Sequence, residues 1–398
     1  MAAGKNLHLE HLEDEIINQG TQGGEKAIKL LRDMGKFLSG TPGQNIAVTT
    51  KFDGAPAIVC GIDPADNRFF VGTKSVFAKT APKVCKSEND CHQIYNGVLA
   101  QKLATSYRYL KNIGIKGVLQ GDLMFTDDLK NVRIDQQEFL TFRPNTITYA
   151  APSKSKLAEQ IRTAKIGIVF HTKYTGESLE EMKSSFRIDD NDYKTNDKNV
   201  WAQKAEFKNI GNVASLSSSE RDKYDSAIRK AEGSLKQTGN ILNEIQSGKK
   251  TLMIDTEFKK FFNKYVKVGQ NIPSVDRAYV DFYHHLGKEY DKIISKNKTL
   301  KSQSEKAFKF VEAVEFIGKN EHKFKMIIAS YMNIQLCKKI LVDKMNKISK
   351  LNMFVDMGNG DYKTTVPEGF VAISGKDAVK LVDRLEFSKL NFIVPKSW

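Results

Sequence analysis

Cysteine is scarce in this chain, and that excludes a class of folds. Four cysteines over 398 residues cannot staple a disulfide framework. Cys85 and Cys91, followed by His92, lie close together, but their spacing matches no common zinc pattern, so they read as reduced thiols. His8 with His11, and His284 with His285, have Glu15, Asp281 and Glu289 nearby. Charged residues are dense along the whole chain, and these histidines read as surface or packing residues. Long apolar runs are missing too: none approaches the ~18 residues that span a bilayer, so no membrane association is expected. The opening residues Met1 to His8 lack an apolar segment of signal-peptide type. A cytoplasmic location is expected, the host cytoplasm if the protein is viral. Acidic residues are in deficit, 47 Asp and Glu against 62 Lys and Arg, for a formal charge of +15. Such a surplus either aids solubility or favours polyanions, nucleic acid first.

The stretch around which the chain is organised is Thr49-Thr50-Lys51-Phe52-Asp53-Gly54-Ala55-Pro56. Residues 45–48 and 57–60 read as strands on either side. Lys-x-Asp-Gly between them presents a lysine at a strand end, with a glycine that lets the backbone pass close to a ligand. A lysine crowded by other cations gives up its proton near neutral pH and becomes a nucleophile. Alone, the same four residues describe an exposed lysine before a tight turn.

Along the chain, residues 10–17 and 25–38 have helical apolar spacing, with Gly20, Gly23 and Gly24 breaking the two apart. Residues 68–77 read as a strand ending near Lys74, which either binds ribose or phosphate oxygens or is a solvated turn lysine. Residues 96–110 read as a helix with Val98, Leu99, Leu103 and Leu110 on its apolar face. Residues 117–125 form an apolar strand carrying Asp122. A carboxylate there is costly to bury without a cation, a metal or several donors. Residues 143–149 form a turn leading into a strand. Residues 165–179 hold a buried strand in which Phe170 is either core or a platform for a purine.

From 216 to 350 the pattern is helical, with segments at 227–245, 258–266, 279–294, 308–316 and 324–351, and four to six helices are expected. Its many lysines form either a solvated face or a track for a phosphate backbone. Strand patterns return at 353–356, 365–373 and 378–382, and the chain ends on another apolar stretch at 392–398. The expected class is α+β: a helical preface (1–44), a β-rich core in two parts (45–215 and 351–398), and an all-α insertion (216–350). No internal repeat is visible.

Taken in order, these pieces resemble the covalent nucleotidyltransferases, which comprise ATP-dependent DNA ligases, RNA ligases and mRNA capping enzymes. Lys51-Phe52-Asp53-Gly54 matches the superfamily's nucleophile motif fully. Gln120-Gly121-Asp122-Leu123 resembles the next motif, with an acid one methylene shorter than the usual glutamate. The stretch 168–179 resembles the following one, with Phe170 matching the aromatic and His171 standing where aspartate is usual. Glu368-Gly369-Phe370-Val371 and Lys380 fit the last two motifs. The second lysine of the final motif is absent at Ala378 and Val382, leaving Lys376, Arg384 or Lys389 to supply that charge.

The resemblance implies a ligase-like core of twisted antiparallel sheets with flanking helices. It implies Lys51, Asp53 and Lys380 as catalytic residues. It further implies Lys51, Lys74, Asp122, Phe170, Glu368, Val371 and Lys380 as the nucleotide site, with Asp122 and Glu368 holding Mg2+ or Mn2+. The implied activity is ATP-dependent joining of a 5′-phosphate to a 3′-hydroxyl through a lysyl-AMP, with nucleic-acid ends as partners. RNA is favoured over DNA, because DNA ligases and capping enzymes follow the last motif with an OB-fold and few residues remain here. The compact size suggests a viral accessory enzyme of phage RNA-ligase type. The alternatives are a GTP-using, capping-type guanylyltransferase, or a non-catalytic nucleic-acid-binding or virion protein on a degenerate version of the fold.

Overall fold

A computed structural model describes residues 10–41, 46–194, 196–206, 215–348, 351–358, 361–374 and 377–385. The closing stretch 392–398, with Lys376, Lys389 and His8, lies outside the described residues. The chain runs α1 (Glu15–Asn18), α2 (Gly20–Leu38), β1 (Ile46–Lys51), β2 (Ala57–Ile62), β3 (Phe69–Gly72), α3 (Glu88–Ile94), α4 (Gly97–Leu110) and β4 (Val118–Phe125). It continues through β5 (Lys130–Ile134), β6 (Gln137–Phe142), β7 (Ile147–Pro152), α5 (Lys156–Thr163), β8 (Ile166–Thr175), β9 (Lys183–Ser185) and β10 (Val200–Lys204). Six helices follow: α6 (Ser218–Gln237), α7 (Ile241–Gln246), α8 (Ile254–Lys267), α9 (Val275–Lys296), α10 (Leu300–Lys319) and α11 (Glu321–Met345). Last come β11 (Asn352–Gly358), β12 (Asp361–Thr364), β13 (Gly369–Ser374) and β14 (Asp377–Leu381).

The architecture is α+β. A central sheet has the order β10-β8-β4-β2-β3, with β9 also paired to β8. It is antiparallel except where β10 joins β8. A second, antiparallel sheet has the order β12-β11-β7-β6-β5, so the returning chain adds β11 beside β7. The third is a three-stranded antiparallel sheet, β1-β13-β14, which brings the Lys51 strand against the strands that follow the helical segment.

Several local expectations change in the fold. The helix over 20–38 runs through Gly23 and Gly24, because helices pack too closely there for a side chain. A Cβ on Gly23 would run into the Glu15 carbonyl, and one on Gly24 would meet Leu235 at 2.9 Å. The strand expected over 68–77 ends at Gly72, and Lys74–Phe77 is a 3-10 turn capped by the Thr73 side chain. Val98 lies off the apolar face of α4, 62% exposed, while Leu103 and Leu110 are buried. The segment 227–245 divides into α6 and α7 at Gly239, whose φ of +56° is left-handed. Residues 365–368 are not strand, and β12 lies just before them.

The first helices do not form a separate layer. Leu12, Ile16, Ile28, Leu31 and Met34 share one core with Tyr224, Ile228, Phe258, Phe262, Tyr331 and Leu341 of the six-helix segment. Phe370, Ala372 and Leu381 of β13 and β14 belong to the same core, so the helices back the three-stranded sheet. Charges are buried at this junction. Lys338 donates to Glu13 at 2.5 Å, Tyr331 donates to Asp14 at 3.0 Å, and Arg384 reaches Asp14 at 3.3 Å. All five side chains are buried. Two carboxylates face two cations, a balance that such desolvated groups require.

Lys338→Met takes from the buried Glu13 its hydrogen-bonded cation and leaves Arg384 no nearer than 3.8 Å, and is expected to cost about 3–5 kcal/mol in urea unfolding. Adding Glu13→Leu should recover most of that loss, because an apolar replacement of a whole buried pair is often nearly neutral.

Candidate active site

A cleft of about 320 Å³ opens between the three-stranded sheet and the central sheet. The antiparallel register of β1 with β13 sets Lys51 opposite Gly369 and Thr49 opposite Val371. The register of β13 with β14 sets Val371 opposite Lys380. Directly opposed residues share a face of a sheet, so Thr49, Val371 and Lys380 form one row and Lys51 lies two residues along. All four line the cleft. Glu368, one residue before Gly369, accepts a hydrogen bond from the Lys51 ammonium, although 317 residues separate them in sequence.

The opposite wall belongs to the central sheet. On β8, Ile166, Ile168 and Phe170 point into the core beneath the helices, while Val169 and His171 point into the cleft. A register shift against β4 pairs Gly121 with Phe170 and Gln120 with Thr172. His171 is thus the extra residue of a bulge, a device that re-aims side chains beside functional sites. Its Nε2 lies 3.6 Å from Asp122 Oδ1, and its Nδ1 is 2.8 Å from the Thr172 hydroxyl. Gly54 permits this assembly, since a Cβ there would run into Asp122. Lys74 reaches the cleft rim from its 3-10 turn.

The cleft thus gathers Lys51, Lys74, Asp122, Val371 and Lys380, with Glu368 on Lys51. Two expected residues fall elsewhere. Phe170 is fully buried against Tyr193, 4.9 Å between ring centroids, because strand alternation turns it to the helix-covered face. It cannot stack on a base in the cleft. Asp53 is also buried and turned away. Its carboxylate accepts from Asn145 Nδ2 at 2.7 Å and from the backbone N–H groups of Thr146 and Ile147 at 2.7 and 2.9 Å. Its own N–H donates to the Tyr149 hydroxyl at 2.7 Å. Asp53 clasps the Lys51 turn to the loop before β7. Arg384 serves the buried Asp14 rather than the cleft.

Residues that motif reasoning missed include Tyr174, which donates to Gln120 at 2.7 Å, and Phe186, both on the cleft wall. Strict alternation from Ile166 and Ile168 was the signal that would have turned Phe170 inward.

The groups perturb one another. Burial pushes the Glu368 carboxyl above the usual carboxylate range; Lys51 opposes the rise, and Asp53 and Asp122 add to it. Burial and the Lys51 charge pull the Lys380 ammonium below the usual lysine range, with Glu368 opposing. Among the described residues no group of three or more His, Cys, Asp or Glu side chains could hold a metal ion. Asp122 and Glu368 are hard oxygen donors of the kind Mg2+ accepts when phosphates and waters complete its shell, and Glu368 is held by Lys51. No helix among the described residues is long and apolar enough to cross a membrane.

Residues 6–396 match the model of a family described as "Family of unknown function (DUF6267)", and the chain belongs to that family. No curated protein and no solved structure matches it.

The coupling within the cleft is measurable by reductive methylation followed by an NMR titration of the lysine methyl signals. Lys380 should titrate below the bulk of the lysines. Lys51→Ala should move it up, by removing a neighbouring positive charge, and Glu368→Ala should move it down, by removing a negative one.

Proposed function

We propose that this member of its family is an ATP-dependent polynucleotide ligase that works through a covalent lysyl-AMP on Lys51, with RNA ends favoured over DNA ends. The observation that carries the reading is the meeting of Lys51, Glu368, Lys380 and Asp122 at one cleft. Those are the residues that the superfamily's motifs select in order from both sides of the helical segment. A nucleotidyltransferase fold for the three sheets belongs to the same proposal.

In the first step Lys51 loses its proton to solvent and its amine attacks the α-phosphorus of ATP. A nitrogen–phosphorus bond forms, the bond to the bridging oxygen breaks, and pyrophosphate leaves with the electron pair. A 5′-phosphate oxygen then attacks the same phosphorus and frees the lysine, giving an end capped with AMP through a pyrophosphate linkage. The 3′-hydroxyl attacks the 5′-phosphate, its proton goes to solvent, and AMP leaves. Lys380 and Lys74 oppose the charge that builds on the phosphate oxygens. When bound at Asp122 and Glu368, a divalent ion supplies further charge compensation. Val371 offers one apolar face to the base, and with Phe170 buried the opposing wall is formed by the His171 side of the cleft.

His171, beside Asp122 where the superfamily has an acid, favours one rival: a non-catalytic nucleic-acid-binding protein on the same fold.

The test uses ATP and GTP labelled at the α-phosphate. Wild type should take from ATP a covalent label that survives denaturing electrophoresis and alkali but is released by hot acid, as a nitrogen–phosphorus bond requires; Lys51→Ala should take none, and Lys380→Ala should react about 10²–10³-fold more slowly. Label from GTP alone would transfer the reading to a capping-type guanylyltransferase. No label from either nucleotide, with Mg2+ or Mn2+, would leave the non-catalytic rival.

A further inference from the structure

A second cavity, of about 440 Å³, lies in the helical segment between α8 and α9. Nothing in the proposed chemistry uses it. Phe261, Lys264 and Tyr265 of α8, at helical spacing, and Val268 just past its end form one side. On α9, Asp281, His284, His285 and Lys288 form the other. The aromatic rings are fixed: Phe261 and Tyr265 meet edge to face at 5.3 Å, and the Tyr265 hydroxyl donates to Asp281 at 3.0 Å. Asp281 is the one acid on the lining, and Arg277 also holds it, at 3.0 Å. His285 is buried, with Nε2 3.0 Å from the fully buried Glu257. Lys264 and Lys288 form no ion pair among the described residues. The cavity therefore offers aromatic surface beside two uncompensated cations and an exposed histidine.

We infer that this cavity binds one nucleotide unit of a single-stranded polynucleotide, with the base against Tyr265 and the phosphate between Lys264 and Lys288. Aromatic surface with adjacent cations is what a base and its phosphate require. The volume suits a ligand of that size. The inference takes from the proposed function only the class of ligand. The cavity also shares α8 with the sheet that carries Lys380: Lys259 lies 3.5 Å from Glu10, whose carbonyl accepts from the Lys380 N–H at 2.9 Å. A strand held at α8 is thus anchored on an element in contact with the cleft's own support.

Binding is read by fluorescence anisotropy with end-labelled RNA and DNA oligomers of about 12 nucleotides. The full chain carries Lys51→Ala, so that no covalent step contributes. Lys264→Ala/Lys288→Ala should weaken binding by about tenfold or more near 0.1 M salt, and should reduce the slope of log affinity against log salt by about 0.7, the value for one phosphate of a single strand. Tyr265→Leu should weaken binding about fivefold or more, through lost stacking. A stronger dependence on the cavity for one oligomer would assign the sugar. Equal affinity and slope in the double variant would overturn the inference. So would an equal loss in Lys298→Ala/Lys301→Ala, which removes exposed lysines at the start of α10, or displacement of the oligomer by poly-glutamate at matched charge. Labelling of Lys51 by ATP, measured separately in chains with native Lys51, keeps the two readings apart. The cavity variants should label as wild type does, and absence of labelling in wild type would remove the ligase reading while leaving the cavity assignment standing.

Discussion

The Lys51–Glu368 ion pair is the contact on which the rest of the site depends. It joins the end of β1 to the loop before β13, and so closes the three-stranded sheet across a long excursion of the chain. A half-buried ammonium and a largely buried carboxylate each lose hydration, and neither is comfortable without the other. Burial first, then Asp53 and Asp122, raises the Glu368 carboxyl, and burial with the Lys51 charge depresses the Lys380 ammonium. The cleft is therefore a small set of mutually dependent charges rather than a collection of independent residues. An anionic group entering beside Lys51 would compete with Glu368 for it, and a cation at Asp122 and Glu368 would ease that exchange.

The helices make this arrangement possible. β1, β13 and β14 have too few residues to bury a core by themselves, and Phe370, Ala372 and Leu381 find theirs among α2, α6, α8 and α11. Behind Lys380 the buried group of Glu13, Asp14, Lys338 and Arg384 ties the first helices to α11 and to the end of β14. The backbone hydrogen bond from Lys380 to Glu10 adds a further tie. The helical segment is consequently part of the scaffold that aims Lys380, whatever else it binds.

What was legible in the sequence was local. Lys51 at a strand end, the apolar strand around Asp122, the helical character of 216–350 and the return to strands all follow from periodicity within a window of about ten residues. The less legible features depend on partners far away in sequence. Asp53 reads as a motif acid, but its role is decided by three donors near residue 145. Gly23 and Gly24 read as breakers until Glu15 and Leu235 press against them. Arg384 was one candidate for the missing motif cation, and a buried Asp14 diverts it. Phe170 is the exception, because alternation along β8 was in view and the motif's aromatic outweighed it.

The charge balance of the cleft narrows what it can hold. Lys51, Lys74 and Lys380 face Asp122 and Glu368, three basic side chains against two acidic ones. An aspartate at position 171 would cancel that excess, whereas a histidine in contact with Asp122 does not. Burial makes the imbalance matter, because half-desolvated cations cannot rely on water for compensation. A neutral ligand would leave Lys380 crowded by Lys51, and a second cation alone would worsen the crowding. Only a ligand that brings negative charge of its own relieves it. Under the proposed reading a phosphate chain would do so between Lys51 and Lys380 of the three-stranded sheet and Asp122 of the central one.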